Sequence, residues 1–298
     1  MKKMLCMALW CLFVTTLFAQ PARGNNALLW KVSGKGLSQP SYLFGTYHFL
    51  TNAFIDTLPA VKAAYGNSKA VAGELVIDSS LQPAVMQAAI LNGTTLKQLL
   101  PDTLYTKAAT WFKSEAGVDL AVFNNFNPVT VMTLAMAIAQ QKYFPNKPGE
   151  VQLDTYFQQE GKKDGKKILG LETVDVQINA LYKQLSLQRQ VELLNELFNG
   201  KDSLKQSIDK MNRAYISQDM EELQQEMYSS SYKPEEIKVL LDDRNSHWAQ
   251  ELPAIMQQQP VFVAVGALHL VGKSGLVSQL RAQGYTVTPV NIKAALVQ

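Results

Sequence analysis

Beyond residue 11 the sequence has no cysteine; the only two, Cys6 and Cys11, lie in an apolar opening segment. The rest of the chain can therefore form no disulfide, no thiolate metal site and no cysteine nucleophile, and its fold must rest on its core. Histidine is nearly as scarce, with three in 298 residues. An excess of one charge sign is missing too: the formal net charge is +3, and Lys2 and Lys3 supply two of those charges. Nucleic-acid binders carry a basic face or stripe. The clearest basic run, Lys162, Lys163, Lys166 and Lys167, is interrupted by Asp164 and Gly165 and reads as a solvated turn before a strand. Nucleic acid is therefore not an expected partner. After the opening segment the longest apolar run, residues 129–139, is too short to cross a bilayer, which takes roughly 20 residues; it reads as a buried helix. Several catalytic signatures are also absent. There is no H-E-x-x-H, no G-x-S-x-G elbow and no complete phosphate loop, which removes the corresponding zinc-peptidase, serine-hydrolase and nucleotide readings.

The opening segment has the order of a secretory signal. Lys2 and Lys3 precede an almost wholly apolar stretch, residues 4–19, broken only by Thr15 and Thr16. Residues 1–19 are thus expected to direct export to the periplasm or beyond, with Ala19 the last residue before cleavage. The stretch is short for a retained anchor. No Gly/Ser- or Pro-rich linker divides the remainder of the chain, so residues 20–298 are expected to form a single domain.

Five short apolar runs bounded by glycine and polar turns read as strands: residues 41–46, 69–75, 167–171, 260–265 and 285–290. Helical patterns fill the gaps at 82–90, 95–114, 128–143, 151–160, 174–199, 202–218, 220–228 and 234–257. Strands alternating with helices predict an α/β fold with a mainly parallel central sheet flanked by helices. The helical material exceeds what crossovers need, which predicts a large helical cap.

Two of the three histidines end the same local pattern, Gly45-Thr46-Tyr47-His48 and Gly266-Ala267-Leu268-His269, each directly after an expected strand. Ligands gather beyond the carboxyl ends of parallel strands, and Gly45 and Gly266 let the backbone bend or approach closely there. The alternative is a pair of structural histidines. Glu74 stands in the apolar run around Ala72 and Val76, where a charge needs a partner. His48, Glu74 and His269 together match an open site for a divalent ion of iron, manganese, cobalt or zinc. Glu172 ends another expected strand and either supports the site or opens a helix with Thr173 and Asp175. Asp242, Asp243, Arg244, Asn245, His247 and Trp248 form a polar cluster in a late helix, in which His247 reads as a surface residue.

These segments resemble the TraB/GumN family, which is related to the Tiki proteins. The resemblance rests on residues 28–36 (LLWKVSGKG) with 42–50 (YLFGTYHFL), on 169–177 (LGLETVDVQ), on 242–252 (DDRNSHWAQEL) and on 262–287. It implies an erythromycin-esterase/ChaN-like α/β fold with a helical cap. From the Tiki branch it implies a metal-dependent protease, supported by manganese or cobalt and using His48, His269 and Glu74, with Arg244 as a polar partner. The family often has an acid two residues after the glutamate, where this sequence has Val76. The resulting expectation is an exported hydrolase of peptides or proteins, in which Arg244 stabilises an oxyanion and Glu172 orients a ligand. Its rivals are a non-catalytic peptide-binding protein and a small-molecule esterase.

Overall fold

The computed structural model describes residues 26–229 and 232–292, so the expected export signal at 1–19 lies outside the described residues. Six strands make one mixed sheet: β1 (Leu29–Ser33), β2 (Ser41–Thr46), β3 (Ala70–Gly73), β4 (Lys167–Gly170), β5 (Val261–Gly266) and β6 (Thr286–Pro289). Their order is β4-β3-β5-β2-β1-β6. The first four of that order are mutually parallel, and β1 runs antiparallel to both β2 and β6. The central strands read as unbroken apolar runs because helices cover both faces of the sheet; every residue from Val261 to Val265 is buried.

The α/β expectation thus holds, with some boundaries redrawn. β1 and the helices Asn52–Asp56, Pro59–Gly66 and Leu276–Ala282 are additions to the sequence reading. The expected helix over 95–114 divides into Leu96–Leu99 and Asp102–Ala116. Pro101 forces the residue before it out of helical backbone, and Leu100 is extended. The stretch 174–199 is likewise broken, and Ser186 caps its second part by accepting a hydrogen bond from the Arg189 N–H.

The sheet and its covering helices share one hydrophobic core, built around Trp30, Phe44, Phe157, Trp248 and Phe262. A second core lies among helices alone. It joins Leu96, Leu104 and Phe112 to Val131 and Ala135 of helix Pro128–Tyr143, Leu194 of helix Leu187–Asn199 and Ile208 of helix Leu204–Ser217. This is the helical cap. The apolar run 129–139 lies inside it, with Val129, Val131, Ala135 and Ala139 buried. Among the described residues no helix is long and apolar enough to cross a membrane.

Two close approaches fix how the sheet meets its neighbours, the first of them at its carboxyl rim. A Cβ on Gly45 would stand 2.8 Å from the Ala267 Cα, so the absence of a side chain lets the end of β2 meet the turn after β5. A Cβ on Gly161 would stand 2.8 Å from Ile168 and 3.0 Å from Val71, so helix Leu153–Lys163 lies tight against β3 and β4. The cap is tied to the same rim where the Tyr215 hydroxyl donates to the Gly45 carbonyl at 2.6 Å.

Candidate functional site

The strand register orders the candidate residues along the rim. Gly73 of β3 pairs with Gly170 of β4 on one side and Ala264 of β5 on the other, and Thr46 of β2 pairs with Gly266 of β5. Glu172, Glu74, His269 and His48 each follow within three residues of these strand ends, so four neighbouring parallel strands deliver them side by side.

Arg244 enters from helix Asp243–Gln258, which precedes β5. A π-helical turn, Lys238–Asp242, widens the helix just before it, a distortion frequent at functional sites. Arg244 is 7% exposed and all five of its side-chain N–H groups are engaged. Nε donates to Glu172 Oε2 at 2.9 Å and Nη2 to Glu172 Oε1 at 2.7 Å. Nη2 also donates to Glu74 Oε2 at 2.6 Å. Nη1 donates to the Leu240 carbonyl at 2.9 Å and faces His269 Nε2 at 3.2 Å. Trp248 backs the group: the guanidinium lies 4.8 Å over its ring, and the His269 ring lies 4.4 Å from it.

Each candidate ligand is oriented by a partner. Glu74 Oε1 accepts from the Gly266 N–H at 3.0 Å, and Oε2 also accepts from Gln177 Nε2 at 3.1 Å. Asn245 donates its Nδ2 to the Ser274 carbonyl, which leaves its Oδ1 to accept from His269 Nδ1 at 2.7 Å. His269 therefore carries its proton on Nδ1 and its lone pair on Nε2, toward Arg244 and Glu74. His48 Nδ1 donates to Asp154 Oδ2 at 2.8 Å, and Thr46 donates to the other Asp154 oxygen at 2.6 Å. The His48 side chain itself is 72% exposed.

Asp154, Gln177 and the role of Asn245 were missed by the sequence reading. Asn245 stood in the noted polar cluster. Asp154 and Gln177 carry no local signal beyond that of helix-opening polar residues. His247 is exposed, as expected of a surface residue.

The electrostatics separate the two histidines. Burial holds the His269 imidazole down, to about 4, with Arg244 and His48 acting in the same sense against Glu74. The Asp154 hydrogen bond lifts His48 to about 9. Burial alone would raise the Glu74 carboxyl, but His269, Arg244 and the Gly266 N–H outweigh it and hold it at about 2. Burial raises Glu172 in spite of its paired bonds from Arg244.

These shifts fix a sign for stability in acid. Below about 6.5 the unfolded chain protonates His269 first, and below about 4.5 it protonates Glu74 first, so both groups withdraw stability as pH falls. His48 contributes in the opposite direction, below 6.5 and lost as pH rises through about 9, and its exposure screens that contribution. The Tm of the metal-free protein is expected to fall from pH 6.5 to 4.5, and His269→Gln to flatten that interval. A wild-type Tm that is level across it, or an equal slope in the variant, would refute this.

The donor chemistry suits a divalent cation. His269 Nε2 offers one lone pair, Glu74 a carboxylate beside it, and His48 an Nδ1 anchored by a carboxylate, the usual way a ligating imidazole is oriented. Glu74, Glu172 and Asp154 against Arg244 and a protonated His48 leave a formal charge of −1 at neutral pH, and −2 once His48 gives up its proton to a ligand. Among the described residues, however, no three His, Cys, Asp or Glu side chains are grouped closely enough to hold an ion as they stand. The Arg244 guanidinium bridges Glu74 Oε2 and His269 Nε2, while Glu74 Oε1 stands 3.8 Å from His269 Nε2.

Comparison with known proteins bears on this arrangement. The chain is 25% identical to Metalloprotease TIKI2 of Danio rerio, over 88% of this chain and 60% of the relative. It is 24% identical to Metalloprotease TIKI1 of the same organism, over 90% and 64%. Against Metalloprotease TIKI2 of Xenopus tropicalis it is 25% identical, over 88% and 59%. The chain thus spans about 60% of the length of the curated relatives it matches. No solved structure matches it. The TraB/PrgY/gumN family model matches residues 28–289, from β1 through β6, and the chain therefore belongs to the TraB/PrgY/gumN family.

Proposed function

We propose that this chain is a metal-dependent hydrolase of peptides, acting outside the cytoplasm as its basic, apolar opening segment implies. In this reading residues 20–298 form one domain. His48, Glu74 and His269 would hold the ion, with manganese or cobalt preferred over zinc or iron. The metal dependence follows the likeness to proteins named metalloproteases, and the preference for manganese or cobalt follows the family resemblance of the sequence segments. The observation that carries the proposal is the pair of Nδ1 anchors, Asp154 on His48 and Asn245 on His269, which orient each ring through Nδ1 so that Nε2 is the nitrogen that would ligate.

A bound divalent ion would lower the pKa of a water and polarise a substrate carbonyl. The protein's own groups do the rest. Asp154 and Asn245 fix the tautomers, Gln177 and the Gly266 N–H hold the Glu74 carboxylate in place, and Glu172 holds Arg244 at the rim. The Arg244 guanidinium, backed by Trp248, supplies the fixed positive charge nearest to a developing oxyanion. The helical cap, tied to β2 through Tyr215, would enclose the substrate chain.

One observation favours a second reading, a non-catalytic peptide-binding protein: no three ligands are grouped among the described residues. The two readings part on a peptide library assayed with chelator and with added manganese or cobalt. The hydrolase reading expects cleavage that chelator removes and metal restores, and that His48→Ala or His269→Ala abolishes. Tight peptide binding without cleavage would install the binding protein. Cleavage of ester substrates alone would install the esterase.

A further inference from the structure

We infer that the cavity beside the site, walled by helix Met220–Ser229, the π-helical turn Lys238–Asp242 and the loop that follows His269, binds a free amino acid with an apolar side chain. The cavity has a volume of about 280 Å³, at the small end of ligand pockets. It is separate from the rim: Arg244, His48, Glu74, Glu172 and His269 do not line it. Asn245, which holds His269 through Nδ1, is the wall the two places share. The inference depends on no metal and on no hydrolysis.

The charges of the cavity select its ligand. Lys273 lines it from the loop and Asp242 from the π-helical turn. Neither side chain makes an ion pair or hydrogen bond with the other or with any other described residue. Lys238, the nearest lysine in sequence to Asp242, is taken by Asp243. A simple anion drawn to Lys273 would meet the Asp242 carboxylate, and a simple cation drawn to Asp242 would meet the Lys273 ammonium. A molecule carrying both charges, its carboxylate toward Lys273 and its ammonium toward Asp242, escapes both repulsions. Leu241, Leu268 and Val271 add apolar wall against which a hydrocarbon side chain leaves water. Gln224 adds an amide, which can donate to a carboxylate or accept from an ammonium. Gly272 holds that amide close: it turns the chain at φ +82, and a Cβ there would stand 2.9 Å from Gln224 Nε2. Two opposite charges and an apolar body are the features of an apolar amino acid, whereas a phosphate or a metal ion offers one charge sign alone.

The test is a titration of the purified protein with leucine, followed in its amide NMR spectrum. Leucine is expected to bind at about 1 mM, the range open to so small a ligand, and to shift the signals of Gly272, Lys273 and Asn245. N-acetylleucine lacks the ammonium and leucinamide lacks the carboxylate. Each is expected to bind at least about threefold more weakly than leucine, the weight of a charge pair partly open to water. Two variants assign the charges, and both positions lie outside the buried core. Lys273→Met should bring leucine down to the level of leucinamide, and Asp242→Asn should bring it down to that of N-acetylleucine. No shift of these signals at about 20 mM leucine, or leucine binding that neither variant weakens, would overturn the inference. N-acetylleucine bound as tightly as leucine would overturn it as well, in favour of a plain anion site.

Discussion

Glu74→Gln is expected to leave the protein folded and hydrolytically silent. The substitution keeps the side chain's size and removes the charge that would offset a cation. Its local cost is bounded, because Arg244 retains both bonds to Glu172 and its bond to Leu240. One amide end must still face a donor: Gly266 N–H on one side, or Arg244 and Gln177 on the other. Such a mismatch costs about 1–3 kcal/mol. Peptide cleavage should fall to the background left by chelator, a loss of roughly a thousandfold or more if Glu74 acts as part of one catalytic unit. Turnover assays beside circular dichroism check this. A folded variant with more than a tenth of wild-type turnover would remove Glu74 from the site.

The largest stability effect is expected at Trp248. This side chain is fully buried, belongs to the core shared by sheet and helices, and packs on both His269 and Arg244. Trp248→Ala would leave a cavity directly behind the site, costing about 3–5 kcal/mol and lowering Tm by roughly 10 °C. It would also remove the wall that fixes the guanidinium plane, so activity should suffer even well below the new Tm. Trp248→Phe should recover most of the stability. Thermal melts of the three proteins decide; a Trp248→Ala melt within about 2 °C of wild type would contradict the packing described here.

The parts of the site that could be read from sequence are those whose signal is local. Gly45-x-x-His48 and Gly266-x-x-His269 advertise themselves because a strand, a glycine and a histidine sit within a few residues. Glu74 stands out because its neighbours are apolar. Asp154 and Gln177 could not be read this way. Each lies over a hundred residues from the side chain it orients, and the contact exists only in the folded chain, where the helix before β4 reaches His48 and the helix after β4 reaches Glu74. Asn245 was visible as part of a polar cluster, but its role depends on the Ser274 carbonyl, which fixes its amide. In the fold, hydrophobic period and glycine placement exposed five of the six strands. Helix periodicity alone ran through Pro101 and Ser186, where backbone restriction and capping overruled it.

Whether His48, Glu74 and His269 bind a divalent ion is decided most directly by elemental analysis of the purified protein, after incubation with manganese or cobalt and removal of the excess. Wild type would be set beside the His48→Ala/His269→Ala double variant. About one ion per wild-type chain is expected and none in the variant, with both proteins folded. A wild type that retains no ion, or a variant that retains as much as wild type, would contradict a metal site built on these three residues.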